Sequence, residues 1–158
     1  MLNSPLSRTG RPQESWAELR AHNRVTRYRR RGVGQPVLLL RAGENTPLWI
    51  ALGDALSDRY RLLIPELDET DRQDSRWILE FLEGLGCSNV IVLCDAQFAR
   101  ATLDLIALGC DQIARVVIVE ASPSARSSNG DIPLLTVDAT RDAPDVLALV
   151  AEFLARPS

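Results

Sequence analysis

The sequence predicts an α/β domain: a mainly parallel sheet flanked by helices on both faces. Two observations carry this. Short, continuous apolar runs rich in Val, Ile and Leu (VLLL, RLLIP, NVIVLC, RVVIV, IPLLTV) recur along the chain, as expected of strands buried on both faces. Between several of them lie segments whose apolar residues repeat at helical spacing, so strands and helices alternate. The 158 residues, 46% of them hydrophobic, suffice for one domain with a substantial core.

Residues 1–14 (MLNSPLSRTGRPQE) are rich in Ser, Pro, Gly and Arg and hold too little apolar material to fold alone. They read as a mobile arm, or a segment ordered by a partner, before a single domain at 15–158. Ser15 is placed to cap a short turn through Ala21. RVTRYRRR, Arg24 to Arg31, reads as an edge strand or hairpin arm, closed by Gly32, Gly34 and Pro36. Its arginines, Arg24, Arg27, Arg29, Arg30 and Arg31, have two readings: a solvated edge that resists aggregation, or a docking patch.

Val37 to Leu40 reads as a central parallel strand, and Pro47 opens a helix to Ser57 with Trp49, Leu52 and Leu56 on one face. Arg61 to Pro65 reads as the next strand, followed by the acid-rich loop ELDETDRQD. A helix over Ser75 to Leu85 presents Trp77, Ile78, Phe81 and Leu82, and Gly84 and Gly86 close it. Asn89 to Leu108 holds the central feature: strand Val90–Cys94, a polar break at Asp95, Ala96 and Gln97, then helical spacing at Phe98, Ala101, Leu105 and Leu108. In α/β proteins the crevice at such a strand-to-helix turn is the usual place for chemistry. Arg115 to Val119 and Ile132 to Val137 read as strands joined by the polar loop EASPSARSSNGD. The last helix spans about Pro144 to Ala155 with one apolar stripe.

Composition narrows the function classes. All eighteen basic residues are arginine, and they are unevenly placed: residues 1–41 hold nine against two acids, and residues 42–158 hold nine against nineteen. A net charge of −3 with one basic end argues against general nucleic-acid binding and allows an acidic protein or an anionic membrane surface as a partner. No apolar run approaches the roughly twenty residues that span a bilayer, and no signal-peptide pattern opens the chain, so a cytoplasmic location is expected. Cys87, Cys94 and Cys110 lack metal or disulfide spacing and read as buried free thiols. The sequence implies no cofactor and no metal site. The single histidine, His22, limits any mechanism that needs an imidazole base.

GVGQPVLLLRAG, Trp49, RYRLLIPEL, LGCSNVIVLCDA, IARVVIVEASP, IPLLTVDATRD and EFLARP resemble, in that order, successive landmarks of the α/β-hydrolase superfamily across roughly residues 22–158. The resemblance implies a nucleophile elbow, G-x-Nuc-x-G, on a strained turn. Cys94, Ala96 and Phe98 occupy its three defining positions, so the nucleophile is replaced by alanine and both glycines by larger residues. Arg41 and Ala42 stand where family members usually carry His-Gly beside the oxyanion hole, with Gly43 behind. Asp142 matches the acid position and, with Asp145, reads equally well as a helix-start residue. The resemblance further implies that the lid and the last strand, with its histidine loop, are missing.

A Ser-His-Asp relay is therefore not expected. Asp95, one residue from the aligned position, is a rival nucleophile of the dehalogenase and epoxide-hydrolase type, and it is also a natural N-cap. Cys94 is the other candidate nucleophile. Two function classes follow: a noncatalytic subunit that binds a protein partner or a second copy of itself, or a small hydrolase or ligand-binding protein using a residual crevice near Arg41, Asp95, Gln97 and Asp142.

Overall fold

The computed structural model describes residues 14–21, 23–41, 46–67, 74–121 and 132–157. They form a seven-stranded sheet in the order β1-β2-β4-β3-β5-β6-β7. The strands are β1 (Glu14–Ala21), β2 (Arg24–Arg31), β3 (Gln35–Leu40), β4 (Tyr60–Pro65), β5 (Val90–Asp95), β6 (Ile113–Glu120) and β7 (Leu134–Asp138). The helices are α1 (Pro47–Leu56), α2 (Ser75–Leu85), α3 (Ala96–Ala107) and α4 (Ala143–Ala155). β4, β3, β5, β6 and β7 pair in parallel, and β2 pairs antiparallel with both β1 and β4.

The mainly parallel sheet with helices on both faces agrees with the sequence reading. Val37 to Leu40 and Val90 to Cys94 are buried along their whole length, because helices cover both sides of them. One side packs Leu38, Leu40, Val92, Cys94 and Ile118 against α2 and α3. The other packs Val37, Leu39, Ile91, Val117 and Val137 against α1 and α4.

One expectation is corrected. Residues 15–21 are not a capped turn; they belong to β1, which pairs with β2 over eight positions from Glu14↔Arg31 to Ala21↔Arg24. Local capping chemistry loses to a hairpin that buries alternate residues, with Ala17 and Leu19 packed on the α2 side. Arg24–Arg31 is accordingly a hairpin arm, with β1 as the edge outside it. The expected arm at 1–14 lies outside the described residues, except that Glu14 opens β1.

Each helix start has a local cause. Thr46 caps α1 by accepting from the Trp49 N–H, and Pro47 takes the first turn. Asp74 caps α2 through the Trp77 N–H, and Gly86, at φ 66°, ends it with Cys87 N–H donating to the Leu82 carbonyl. The β2–β3 turn depends on glycine: a Cβ on Gly32, at φ 84°, would stand 2.3 Å from the Tyr60 carbonyl oxygen. Buried Arg115 on β6 donates to the Phe153 and Arg156 carbonyls at the end of α4. A cation there complements the helix dipole and fixes α4 on the face that also carries α1.

At the far edge, α4 follows β7 directly, and β7 is the last strand of the described sheet. The region expected to lack a lid, between β6 and β7, falls mostly at 122–131, outside the described residues.

Candidate functional site

The carboxyl ends of β3 and β5 and the start of α3 form the place where the fold would put chemistry. Register sets Leu40 beside Cys94 and Asp95 beside Val119. Asp95 ends β5 half-buried, and its carboxylate accepts from the Gln97 N–H at 2.9 Å, making it the N-cap of α3. Ala96 is the first helical residue and is exposed. No residue from Cys94 to Phe98 has a positive φ, so the strained turn that would raise a nucleophile out of the sheet is not formed.

The neighbouring candidates are committed elsewhere. Cys94 is buried, with the Thr102 hydroxyl 4.0 Å from its sulfur beneath α3. Phe98 is fully buried and fills the core. Gln97 is exposed on the first turn of α3. Asp142 is exposed just before α4, and its backbone carbonyl accepts the Val146 N–H while its side chain makes no cap bond. Asp138 at the end of β7, which the sequence analysis passed over, is turned back on its own loop. It accepts from the Thr140 hydroxyl at 2.6 Å and the Thr140 N–H at 2.8 Å, which together hold its carboxyl below the usual range. His22, Ala42 and Gly43 lie outside the described residues.

The other thiols are also quiet: Cys87 is buried, and burial pushes the half-buried Cys110 thiol up. Among the described residues no group of three or more His, Cys, Asp or Glu is placed to hold a metal. None of the described helices is long and apolar enough to cross a membrane.

A trough lies to one side of this junction, on the α1 face of β1, β2, β4 and β3. One part, of about 430 Å³, is lined by Trp16, Arg29, Leu39, Arg41, Ile64 and residues 65–67. A second part, of about 230 Å³, shares Arg29, Leu39, Arg41 and Ile64 and continues to Arg31, Trp49, Gly53 and Asp54. Strand alternation builds it: Glu14 and Trp16 on β1 face the same side as Arg29 and Arg31 on β2 and Ile64 on β4.

The charges in the trough are ordered by pairing. Arg29 donates to Glu14 at 2.8 Å and Arg31 to Asp54 at 2.6 Å. Arg27 stacks 4.2 Å from the Trp16 ring centroid, with Arg29 at 5.6 Å, and Arg27 lies 3.9 Å from Glu66. Burial, and next the like charge of Arg29, lower the pKa of Arg41, while Asp95 on the adjacent strand works in the opposite direction.

The five hairpin arginines therefore do not form one patch. Arg27, Arg29 and Arg31 share the trough face with Trp16, whereas Arg24 lies over the Trp77 ring of α2 at 5.2 Å and Arg30 is exposed on that same α2 side. Arg41 lies at the trough's junction with β3, and Gln97 is not among its lining residues. Trp16, Trp49, Glu14 and Asp54 are trough residues that the sequence analysis did not assign to a site.

No protein-family model matches the chain, and none of the curated proteins matches it in sequence. Solved structures do. An epoxide hydrolase from Vigna radiata superposes with a TM-score of 0.57 at 17% identity, over 71% of this chain and 41% of that one. A carboxylesterase from Bacillus subtilis gives 0.57 at 12% identity, over 68% and 43%. A haloalkane dehalogenase from Agrobacterium tumefaciens gives 0.54 at 16% identity, over 68% and 42%. The chain spans about two fifths of the length of these structures. With the strand order and the helix placement above, the likeness identifies the architecture: this chain has the α/β-hydrolase fold, in a minimal form.

Proposed function

We propose that this chain is a noncatalytic α/β-hydrolase-fold domain that works by binding, as a subunit of a larger cytoplasmic assembly. The observation that carries the reading is the β5–α3 junction. Alanine stands where the resemblance puts the nucleophile, no residue from Cys94 to Phe98 has a positive φ, Asp95 serves as a helix cap and Cys94 is buried. A nucleophile must be exposed, activated by a base and aimed at a donor-lined hole, and no described side chain here combines the first two.

The binding role is supported by the hairpin. Among the described residues β1, eight residues long, is the outermost strand on its side of the sheet, and Arg27 and Arg30 beside it are exposed. An outermost strand and unburied cations suit an acidic protein partner, or the anionic face of a membrane to which such an assembly is attached.

The test is a pull-down of the native protein from its own cell extract. One partner in stoichiometric amount, held at low salt, released at moderate salt and lost when Arg27 and Arg30 are both changed to Gln, is the expected result. A protein that stays alone at every salt concentration, or whose retention ignores both arginines, contradicts it.

A further inference from the structure

The outer side of β1 is complementary to itself in one register. Two observations fix which backbone groups face outward. Only residues 22 and 23 join β1 to β2, so Ala21 and Arg24, the last pair, exchange their hydrogen bonds. The Arg27 carbonyl accepts from the Glu66 N–H at 2.8 Å, so the odd residues of β2 turn their backbone groups towards β4 and the even ones towards β1. Alternation then turns Ser15, Ala17, Leu19 and Ala21 towards β2 and points the N–H and carbonyl groups of Glu14, Trp16, Glu18 and Arg20 outward, where no described strand lies. β1 has neither a proline nor a bulge to blunt that side.

Charge selects the partner and its register. An added antiparallel strand meets these groups only if outward residue stands against outward residue, and β1 can do this on a second copy of itself over residues 14–20 or over residues 15–21. The second register centres on Glu18 and sets it against its own copy, like charge against like. The first centres on Ala17. It sets Glu14 against Arg20, Trp16 against Glu18, and Ala17 against Ala17 in a non-hydrogen-bonded pair, where Cα atoms approach to about 4.5 Å and a methyl group fits. Glu18 and Arg20 are exposed and, among the described residues, enter no ion pair. Glu14 is bound to Arg29 through Oε1 with 42% of its side chain exposed, and a carboxylate accepts from more than one guanidinium.

We propose that this chain forms a two-fold dimer by antiparallel pairing of β1 with β1 of a second copy, the axis passing beside Ala17, so that the two sheets become one. The pairing goes beyond the binding role above, because it uses the backbone of the edge and leaves Arg27 and Arg30, on opposite faces of the sheet, for another partner.

The test is sedimentation equilibrium of the full chain across the micromolar range, beside two edge variants. The wild-type protein should be a reversible dimer. Glu18→Pro removes an N–H that faces away from β2, so the hairpin keeps its ladder and the protein should sediment as a monomer. Arg20→Glu sets acid against acid at both ends of the pairing and should weaken dimerisation by at least about tenfold; its exposed position keeps the test available should Glu18→Pro fail to fold. Mild oxidation of Ala17→Cys should give a covalent dimer, whereas Ser15→Cys, which faces Leu19 of the second copy, should cross-link no more than the wild type. A monomeric wild type, a dimer indifferent to the folded edge variants, or cross-linking at Ser15 in preference to Ala17 would overturn the proposal. A monomer that still retains an acidic partner in the pull-down would overturn the pairing alone, and a dimer that retains none would overturn only the role given to the arginines.

Discussion

The hairpin β1–β2 meets two different environments. On one side Tyr28 and Leu19 are packed beneath α2, with the Phe81 ring edge-on to Tyr28 at 5.5 Å and stacked on Trp77 at 5.3 Å. On the other, the same strands present Trp16, Arg27, Arg29 and Arg31 to an open trough. Alternation along a strand lets one hairpin serve as core and as surface at once. The side packed into the core and the side that faces the trough are thereby separable by mutation.

The largest expected effect lies on the covered side. Phe81→Ala should remove about 3–5 kcal/mol of stability, measured by urea unfolding, because it empties a fully packed aromatic site under the hairpin. Arg115→Met should cost about 2 kcal/mol, since the Phe153 and Arg156 carbonyls lose a charged donor, and amide exchange should show α4 opening ahead of the sheet. On the open side, Glu14→Gln should change stability by less than about 1 kcal/mol, as its pair with Arg29 is partly solvated. A loss there as large as that of Phe81→Ala would erase the distinction between the two sides.

What the sequence made legible follows the same division. β3, β4, β5 and β6 announce themselves because strands covered on both faces are continuous apolar runs, as in VLLL and VIVLC. β1 was hidden, because Ala17 and Ala21 are weak strand formers and the pairing that recruits them comes from β2 and α2. Its signal was present as alternation: Ala17 and Leu19 against Trp16, Glu18 and Arg20. Reading residues 15–21 as a strand would have set Trp16 opposite Arg29.

The site was legible in part. The capping chemistry of Asp95 could be read from residue type alone, an acid standing between a strand and a helix-spaced run. Arg29, Arg31 and Arg41 were visible as cations, but the trough they share with Trp49 and Asp54 depends on how far α1 extends across the sheet, and no local pattern encodes that. The division of the hairpin arginines between two faces, by contrast, follows from strand periodicity once β2 is recognised.

The central claim is that the β5–α3 junction holds the fold and performs no chemistry. Its most direct test is hydrolysis of a panel of p-nitrophenyl esters of graded chain length by the wild-type protein and by Asp95→Asn, both verified as folded. The account predicts no turnover above buffer for either protein. Wild-type turnover that disappears in a folded Asp95→Asn variant would make Asp95 a catalytic residue and contradict it.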